Sequence, residues 1–345
     1  MINRHQSGFT LLELVVAVLV IGIVGIVIAP VMSSAITAKK GTYTEVQKAT
    51  NSALSEALLN FAHGNPYSPL GQVPAPYTGA GTVNGIYNPA DVSAAGLYLK
   101  GLLNDTSIDP SQLLDDNYAS QRIRVYQVVP GLTQTYPLEF TAGPLVTLTY
   151  QYGVVYTTGC AKADSTCNPN PSTGIPGASP LLTAANIVTW TTVGKDSAAK
   201  KFSTLNLQQQ MLRTTAFRLN RLRETLTGYV REKQRSAAAS DGTNWFLPNP
   251  GTMGGANPAT NQGCLDGWYD LTNDTLILPY LGLSAAEFGT TIWGGAIQYC
   301  RDYDATGTKA ANAAPHYAAI RIHSSVSKGL APDAVVTGNN LVLTF

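Results

Sequence analysis

The stretch Leu14–Pro30, LVVAVLVIGIVGIVIAP, carries no charge, and the residue just before it is Glu13. A helix rises ~1.5 Å per residue and a bilayer's hydrocarbon core is ~30 Å thick, so Phe9 to Met32 is long enough to span it. Arg4 leads the run, which favours a cytoplasmic N terminus with the rest of the chain outside. A secretory signal ending at the small residues Ser33-Ser34-Ala35, or a plain membrane anchor, would account for the apolar residues. Neither accounts for Glu13, because a carboxylate in a membrane helix costs ~2.5–3.5 kcal/mol at the helix centre. Cleavage after Gly8 does account for it. Phe9 then becomes a positively charged terminus one turn from Glu13, where the helix dipole favours an anion. Once helices bundle, the terminal amine of a neighbouring copy can pair with Glu13, and the cost in lipid becomes a drive to assemble.

The segment Gly8-Phe9-Thr10-Leu11-Leu12-Glu13-Leu14 resembles the class III signal of type IV pilins and type II secretion pseudopilins. The resemblance implies a leader at 1–8, cleavage between Gly8 and Phe9 by a prepilin peptidase, N-methylation of Phe9, and contact of Glu13 with the amine of an adjacent subunit. Pro30 falls where many such proteins bend or locally melt their helix. The implied partners are other pilin subunits, the peptidase and an inner-membrane assembly platform. The implied location is the inner membrane, single-pass with a periplasmic head, and then a pilus or pseudopilus that can reach the cell surface. The short leader and the Phe terminus look more like the type IVa and pseudopilin side than the long-leader type IVb side.

The helix is expected to run over 9–62, with a membrane-spanning half at 9–32 and an amphipathic half at 33–62. In the second half Val46, Ala49, Ala53, Leu54, Ala57, Leu58 and Phe61 recur at three- and four-residue steps. His63-Gly64-Asn65-Pro66 supplies the stop. The chain has 345 residues, 44% of them hydrophobic and only 12% charged, which leaves ample length for a large head. A first head module at 63–195 is expected to hold a turn-rich loop over 64–96 and helices at Leu97–Leu103 and Ser111–Asn117. Its strands are expected at Ile123–Val129, Leu138–Thr141, Leu145–Gln151, Val154–Thr158 and Ile187–Val193. A second module at 196–345 opens with a helix over 200–235, where Leu205, Leu212, Leu219 and Leu226 fall in heptad step. Strands are expected at Tyr317–His323, Ala334–Thr337 and Leu341–Phe345, after a Trp293–Tyr299 stretch similar to the turn-and-strand of pseudopilin heads. The fold class is therefore α+β: a long N-terminal transmembrane or filament helix and an antiparallel-sheet head in two tandem pilin-like modules. One large head with an embedded helix is the alternative.

Little in the head points to catalysis. A net charge of +1 gives no bulk attraction to nucleic acid or anionic lipid. The four cysteines lack a CxxC pair; outside the cytoplasm, disulfides are the expectation, paired sequentially as Cys160–Cys167 and Cys264–Cys300. His316 and His323 stand seven apart on an expected strand, on opposite faces, and cannot share a metal. There is no HExxH or GxSxG motif, and Gly79–Gly85 misses the GxGxxG spacing and reads as a turn. Asp266, Asp270, Asn273 and Asp274 cluster without the EF-hand pattern, so a solvated loop outweighs a calcium site. The 200–235 helix carries nine Lys or Arg against Glu224 and Glu232. Its Arg213, Arg221 and Arg231 are candidate DNA contacts, with a solvated helix face as the plainer reading. The expected function is structural and non-enzymatic, without cofactor: a minor pilin-like subunit, since so large a head is hard to repeat at close spacing. The rivals are a secreted adhesin or DNA-binding tip protein on the same scaffold, or a soluble exoprotein with an ordinary signal peptide.

Overall fold

The computed structural model describes residues 45–67, 70–77, 86, 88, 90–105, 122–138, 143–161, 179–193, 199–238, 240–248, 261–306 and 314–345. The leader, the spanning half of the helix with Glu13 and Pro30, the Gly79–Gly85 turn, the helix expected at Ser111–Asn117 and Cys167 lie outside the described residues.

The described chain is α+β. Helix α1 (45–64) is followed by α2 (Ala94–Asp105), then by a long hairpin of β1 (Arg122–Pro137) and β2 (Leu145–Ala161), and by β3 (Lys200–Ser203). These strands form an antiparallel sheet in the order β1-β2-β3. Helix α3 (Leu205–Arg235) leaves β3 directly. Short elements follow: β4 (Tyr269–Asp270), α4 (Ile277–Tyr280), α5 (Ala285–Phe288), β5 (Gln298–Cys300), β6 (Ala319–His323) and β7 (Asn340–Thr344). The second sheet is antiparallel in the order β4-β5-β6-β7.

Each long helix buries one stripe. In α1, Leu54, Ala57, Leu58, Phe61 and Ala62 fall on one face and pack with Leu99 and Leu103 of α2 and with Tyr126, Val155 and Phe202 of the first sheet. In α3, Leu212, Leu219, Leu222, Leu226 and Val230 pack with Trp293, Tyr299, Ile320, Ile322 and Leu341 around the second sheet. The hairpin serves both cores: its middle supplies Tyr126 and Val155 to the first, and its tip supplies Leu138, Val146 and Leu148 to the second.

Several elements differ from the sequence reading, each for a local reason. The two strands expected within 145–158 are one, because Gly153 lacks the side chain that would collide with the ring of Phe202 opposite it. The chain from 123 is likewise a single strand through to Pro137, carried past Pro130 and Gly131 by a bulge between Val129 and Leu132. Residues 200–203 are a strand, not the first turn of the helix. The strand expected at Ile187–Val193 is not formed: irregular chain follows a run of turns over 184–189. Asn186 organises it: its side chain accepts from Thr183 N–H at 2.8 Å and donates to Leu181 O at 2.9 Å, while its carbonyl accepts from Trp190 N–H at 2.7 Å. Ala334–Thr337 is also not a strand, because Asp333 draws the N–H groups of Val335 and Val336 onto its own carboxylate.

Candidate functional site

The seam between α1 and the first sheet is the most polar part of the first core. The N-terminal turns of α1 bury polar residues where the later turns bury leucines: Gln47, Asn51 and Ser55 are all buried. Gln47 and Asn51 meet Arg124, itself only 2% exposed. Arg124 donates from Nε to Asn51 Oδ1 at 3.1 Å and from Nη2 to Gln47 Oε1 at 2.9 Å; Thr157 Oγ1 donates to the same Gln47 oxygen at 3.0 Å. A buried guanidinium held by side-chain amides fixes one register of helix on sheet, since any slip strands a charge away from water. The only sequence sign of it is an arginine in the apolar strand segment RIRVYQVV.

A second polar joint ties the two cores. Gln208, wholly buried at the start of α3, donates to Leu70 O at 2.8 Å and Gly71 O at 3.0 Å and accepts from Trp293 Nε1 at 2.7 Å. One side chain thus links the loop after α1, helix α3 and the turn before β5. Tyr126 Oη donates to Pro74 O at 2.8 Å on the same loop, and burial pushes its phenol well above the usual tyrosine range.

Cys264 and Cys300 are disulfide-bonded, S–S 2.05 Å, with both residues fully buried. Beside them the guanidinium of Arg321 lies 4.3 Å from the Trp268 ring centroid and donates to Gln298 Oε1 at 2.7 Å and Gln262 Oε1 at 2.9 Å. Burial lowers the Arg321 pKa to about 10, and the nearby Asp333 opposes that shift. The companion pairing, Cys160–Cys167, needs Cys167, which lies outside the described residues.

Two members of the acidic run, Asp270 and Asp274, are tied into turns, while Asn273 is exposed. Asp274 is 3% exposed and accepts from the N–H groups of Leu276 at 3.1 Å, Ile277 at 3.2 Å and Leu278, and from Tyr269 Oη at 2.9 Å. Asp270 Oδ1 accepts from Thr272 N–H at 2.8 Å. Burial of Asp266 raises its pKa, against the pull of Arg301. Among the described residues no group of three or more His, Cys, Asp or Glu is placed to hold a metal. His316 precedes β6 rather than sharing it with His323; its Nε2 donates to Gly242 O at 2.9 Å and its Nδ1 stands 3.4 Å from Asp302 Oδ1. His323 accepts from Ser325 N–H at Nδ1, 3.0 Å, and burial lowers its pKa.

The basic helix is less uniform than its composition. Arg213, Arg221 and Arg231 are exposed, with Phe217 between the first two, 62% exposed. Arg218 instead donates to Thr290 O at 3.0 Å, its pKa lowered by burial, and Lys233 sits 5.5 Å over the Tyr229 ring.

Among the described residues no helix is long and apolar enough to cross a membrane; the apolar segment lies outside them. That segment is where the chain matches a known family: the model of the prokaryotic N-terminal methylation motif covers residues 3–29. That motif is the class III signal carried by type IV pilins and pseudopilins, and its presence supports a place for the chain among them. No curated protein and no solved structure matches it. The signal and the head are thus separate sources of information: the match covers residues 3–29, and the head has to be read from its own residues.

Proposed function

We propose that the chain is a minor, non-enzymatic structural subunit of a type IV pilus or pseudopilus. In this reading prepilin peptidase cuts between Gly8 and Phe9 and methylates the Phe9 amine. The helix 9–62 then leaves the inner membrane through the assembly platform and packs into a filament. Glu13 supplies the charge that pairs with the amine of the adjacent subunit, and Leu11–Val31 supply the apolar contacts. The observation that carries the proposal is the methylation motif at 3–29 with an acidic residue at its fifth mature position, in an otherwise uncharged run. The Arg124 seam supports it, because it gives the helix one fixed register on its head. N-terminal sequencing of the exported protein tests it: N-methylated phenylalanine at Phe9 is expected, and a start near Ile36 overturns it in favour of a secreted exoprotein.

A second reading places a DNA contact on the same subunit, favoured by the exposure of Arg213, Arg221 and Arg231 on α3. Phosphate contacts make binding fall steeply with salt. A gel-shift titration of the wild type against the triple Arg→Ala variant decides it: lost, salt-sensitive retardation is expected, and equal affinity rules the contact out.

A further inference from the structure

Helix α3 and the short helix α4 meet at the surface through two tyrosines. Tyr229 stands on α3 beside the buried Leu226 and Val230, and Tyr280 is the last residue of α4. Both backbones are fixed from below. The turns of α3 under Tyr229 are sunk in the second core. Helix α4 is held by the buried Ile277 and Leu278, whose N–H groups both donate to the Asp274 carboxylate. The two rings pack edge to face, with centroids 5.6 Å apart and planes at 85°. Tyr280 is 62% exposed and Tyr229 is half-buried. Burial raises the Tyr229 pKa and the Tyr280 hydroxyl adds to the rise, so the phenol ends lie side by side as the rings do.

Two phenols in contact at a surface have the geometry for oxidative coupling. A phenol that gives up an electron and its O–H proton becomes a phenoxyl radical, with spin density on the ring carbons ortho to oxygen. Two such radicals side by side join through those carbons. Tyr98, Tyr126 and Tyr303 instead touch Phe61, Phe202 and Trp268, none of which is a phenol. Lys233 Nζ lies 5.5 Å over the Tyr229 ring. One face of that ring is thus covered against a tyrosine arriving from another molecule, whereas Tyr280 is already in place. Tyr280 also lies inside the loop closed by the Cys264–Cys300 disulfide, so a bond to Tyr229 would tie that loop to α3. Disulfides persist in oxidising compartments, and there a surface phenol pair is open to peroxide chemistry.

We infer that Tyr229 and Tyr280 form a modification site, at which peroxide and a haem peroxidase couple the two rings into dityrosine and staple α3 to α4 within one chain. The step balances in atoms and electrons. Each phenol loses one electron and one proton, and a carbon–carbon bond forms between an ortho carbon of each ring. The hydrogen on each of those carbons then moves to its own ring's oxygen and restores the phenol. The two electrons and two protons removed reduce one hydrogen peroxide to two waters at the peroxidase haem. Only the side chains have to turn, because the core holds both backbones. The inference rests on the head alone and holds whether or not the chain enters a filament.

The test treats the full chain, dilute in detergent micelles, with hydrogen peroxide and a haem peroxidase. Trypsin cuts after Arg223, Arg231, Arg235 and Arg301, so the product is expected as Glu224–Arg231 joined to Ser236–Arg301. The joined peptide should be lighter than the sum of its parts by two hydrogen atoms, and should come from the monomer band with dityrosine fluorescence. Fragmentation should place the bond at Tyr280 rather than at Tyr269 or Tyr299 of the same peptide. Tyr229→Phe and Tyr280→Phe should each reduce the yield to background with an unchanged circular dichroism spectrum. Tyr317→Phe, at a half-exposed tyrosine outside the pair, should leave the yield unchanged. The cross-linked chain should unfold at a higher urea midpoint than the untreated one, because the bond constrains the unfolded state as a disulfide does. Absence of the joined peptide at a peroxide dose that oxidises Tyr317 overturns the inference. So does a bond mapped to another tyrosine, or dityrosine found only between copies.

Discussion

At the scale of single residues, the head is organised by side chains that replace backbone partners. Asp333 is the clearest: it accepts from Val335 N–H at 2.8 Å, Val336 N–H at 2.9 Å and Asn339 Nδ2 at 2.9 Å, and these bonds lower its pKa from 3.8 to about 2. Bonds to the charged form depress the folded-state value, so their stabilisation is complete above the unfolded value and lost as pH falls through the folded one. The protection of the Val335 and Val336 amides, measured against the intrinsic exchange rate at each pH, should therefore hold at pH 5 and fall between about pH 4 and pH 2, and Asp333→Asn should remove that acid dependence. Asp274 acts similarly but is buried, so its loss leaves several donors without acceptors. Asp274→Ala is expected to cost about 2–3 kcal/mol in urea denaturation, whereas exposed Asp241→Ala should leave the urea midpoint close to that of the wild type. From the sequence, Asp266, Asp270 and Asp274 read as one acidic cluster. Only the fold separates the buried cap from the others, because burial and backbone direction are not encoded in residue spacing.

At the scale of elements, what could be read depended on whether the driving force was periodic. The leucines of α3 are seven apart, and the helix exists where they are; Leu212, Leu219 and Leu226 are all buried. Leu226→Ala should therefore cost about 2–5 kcal/mol, seen as a lower urea midpoint with an unchanged slope, while the exposed Phe217→Ala should be near neutral. The α1 stripe was legible for the same reason. Strand ends were not, because a bulge, a glycine facing Phe202 and an asparagine-organised turn each override alternation with one local contact. Of the candidate sites, the N-terminal signal was wholly legible, since it is a linear motif. The Arg124 seam and the Gln208 joint were not, because each assembles residues that stand 73 to 138 positions apart.

At the scale of the whole molecule, the Arg124 seam, the Gln208 joint and the shared hairpin tie α1 to the rest of the head, and under the proposed function the decisive energetics lie where the N-terminal helix would leave lipid. A carboxylate at the centre of a bilayer helix costs ~2.5–3.5 kcal/mol, about 60- to 400-fold in partition. A subunit that kept Glu13 only for membrane residence would gain by losing it. Under the proposed pairing, the same cost favours exit from lipid into a bundle where an amine waits. Glu13→Ala should therefore insert in the membrane at least as well as the wild type, shown by carbonate-resistant fractionation, and still be cleaved at Phe9, yet be absent from sheared filaments. Glu13→Asp, which keeps the charge on a shorter stem, should be recovered in part. Equal recovery of the alanine variant in filaments would mean that apolar packing alone assembles the subunit and that Glu13 has another role. Failure of the alanine variant to be cleaved would instead place Glu13 in recognition by the peptidase.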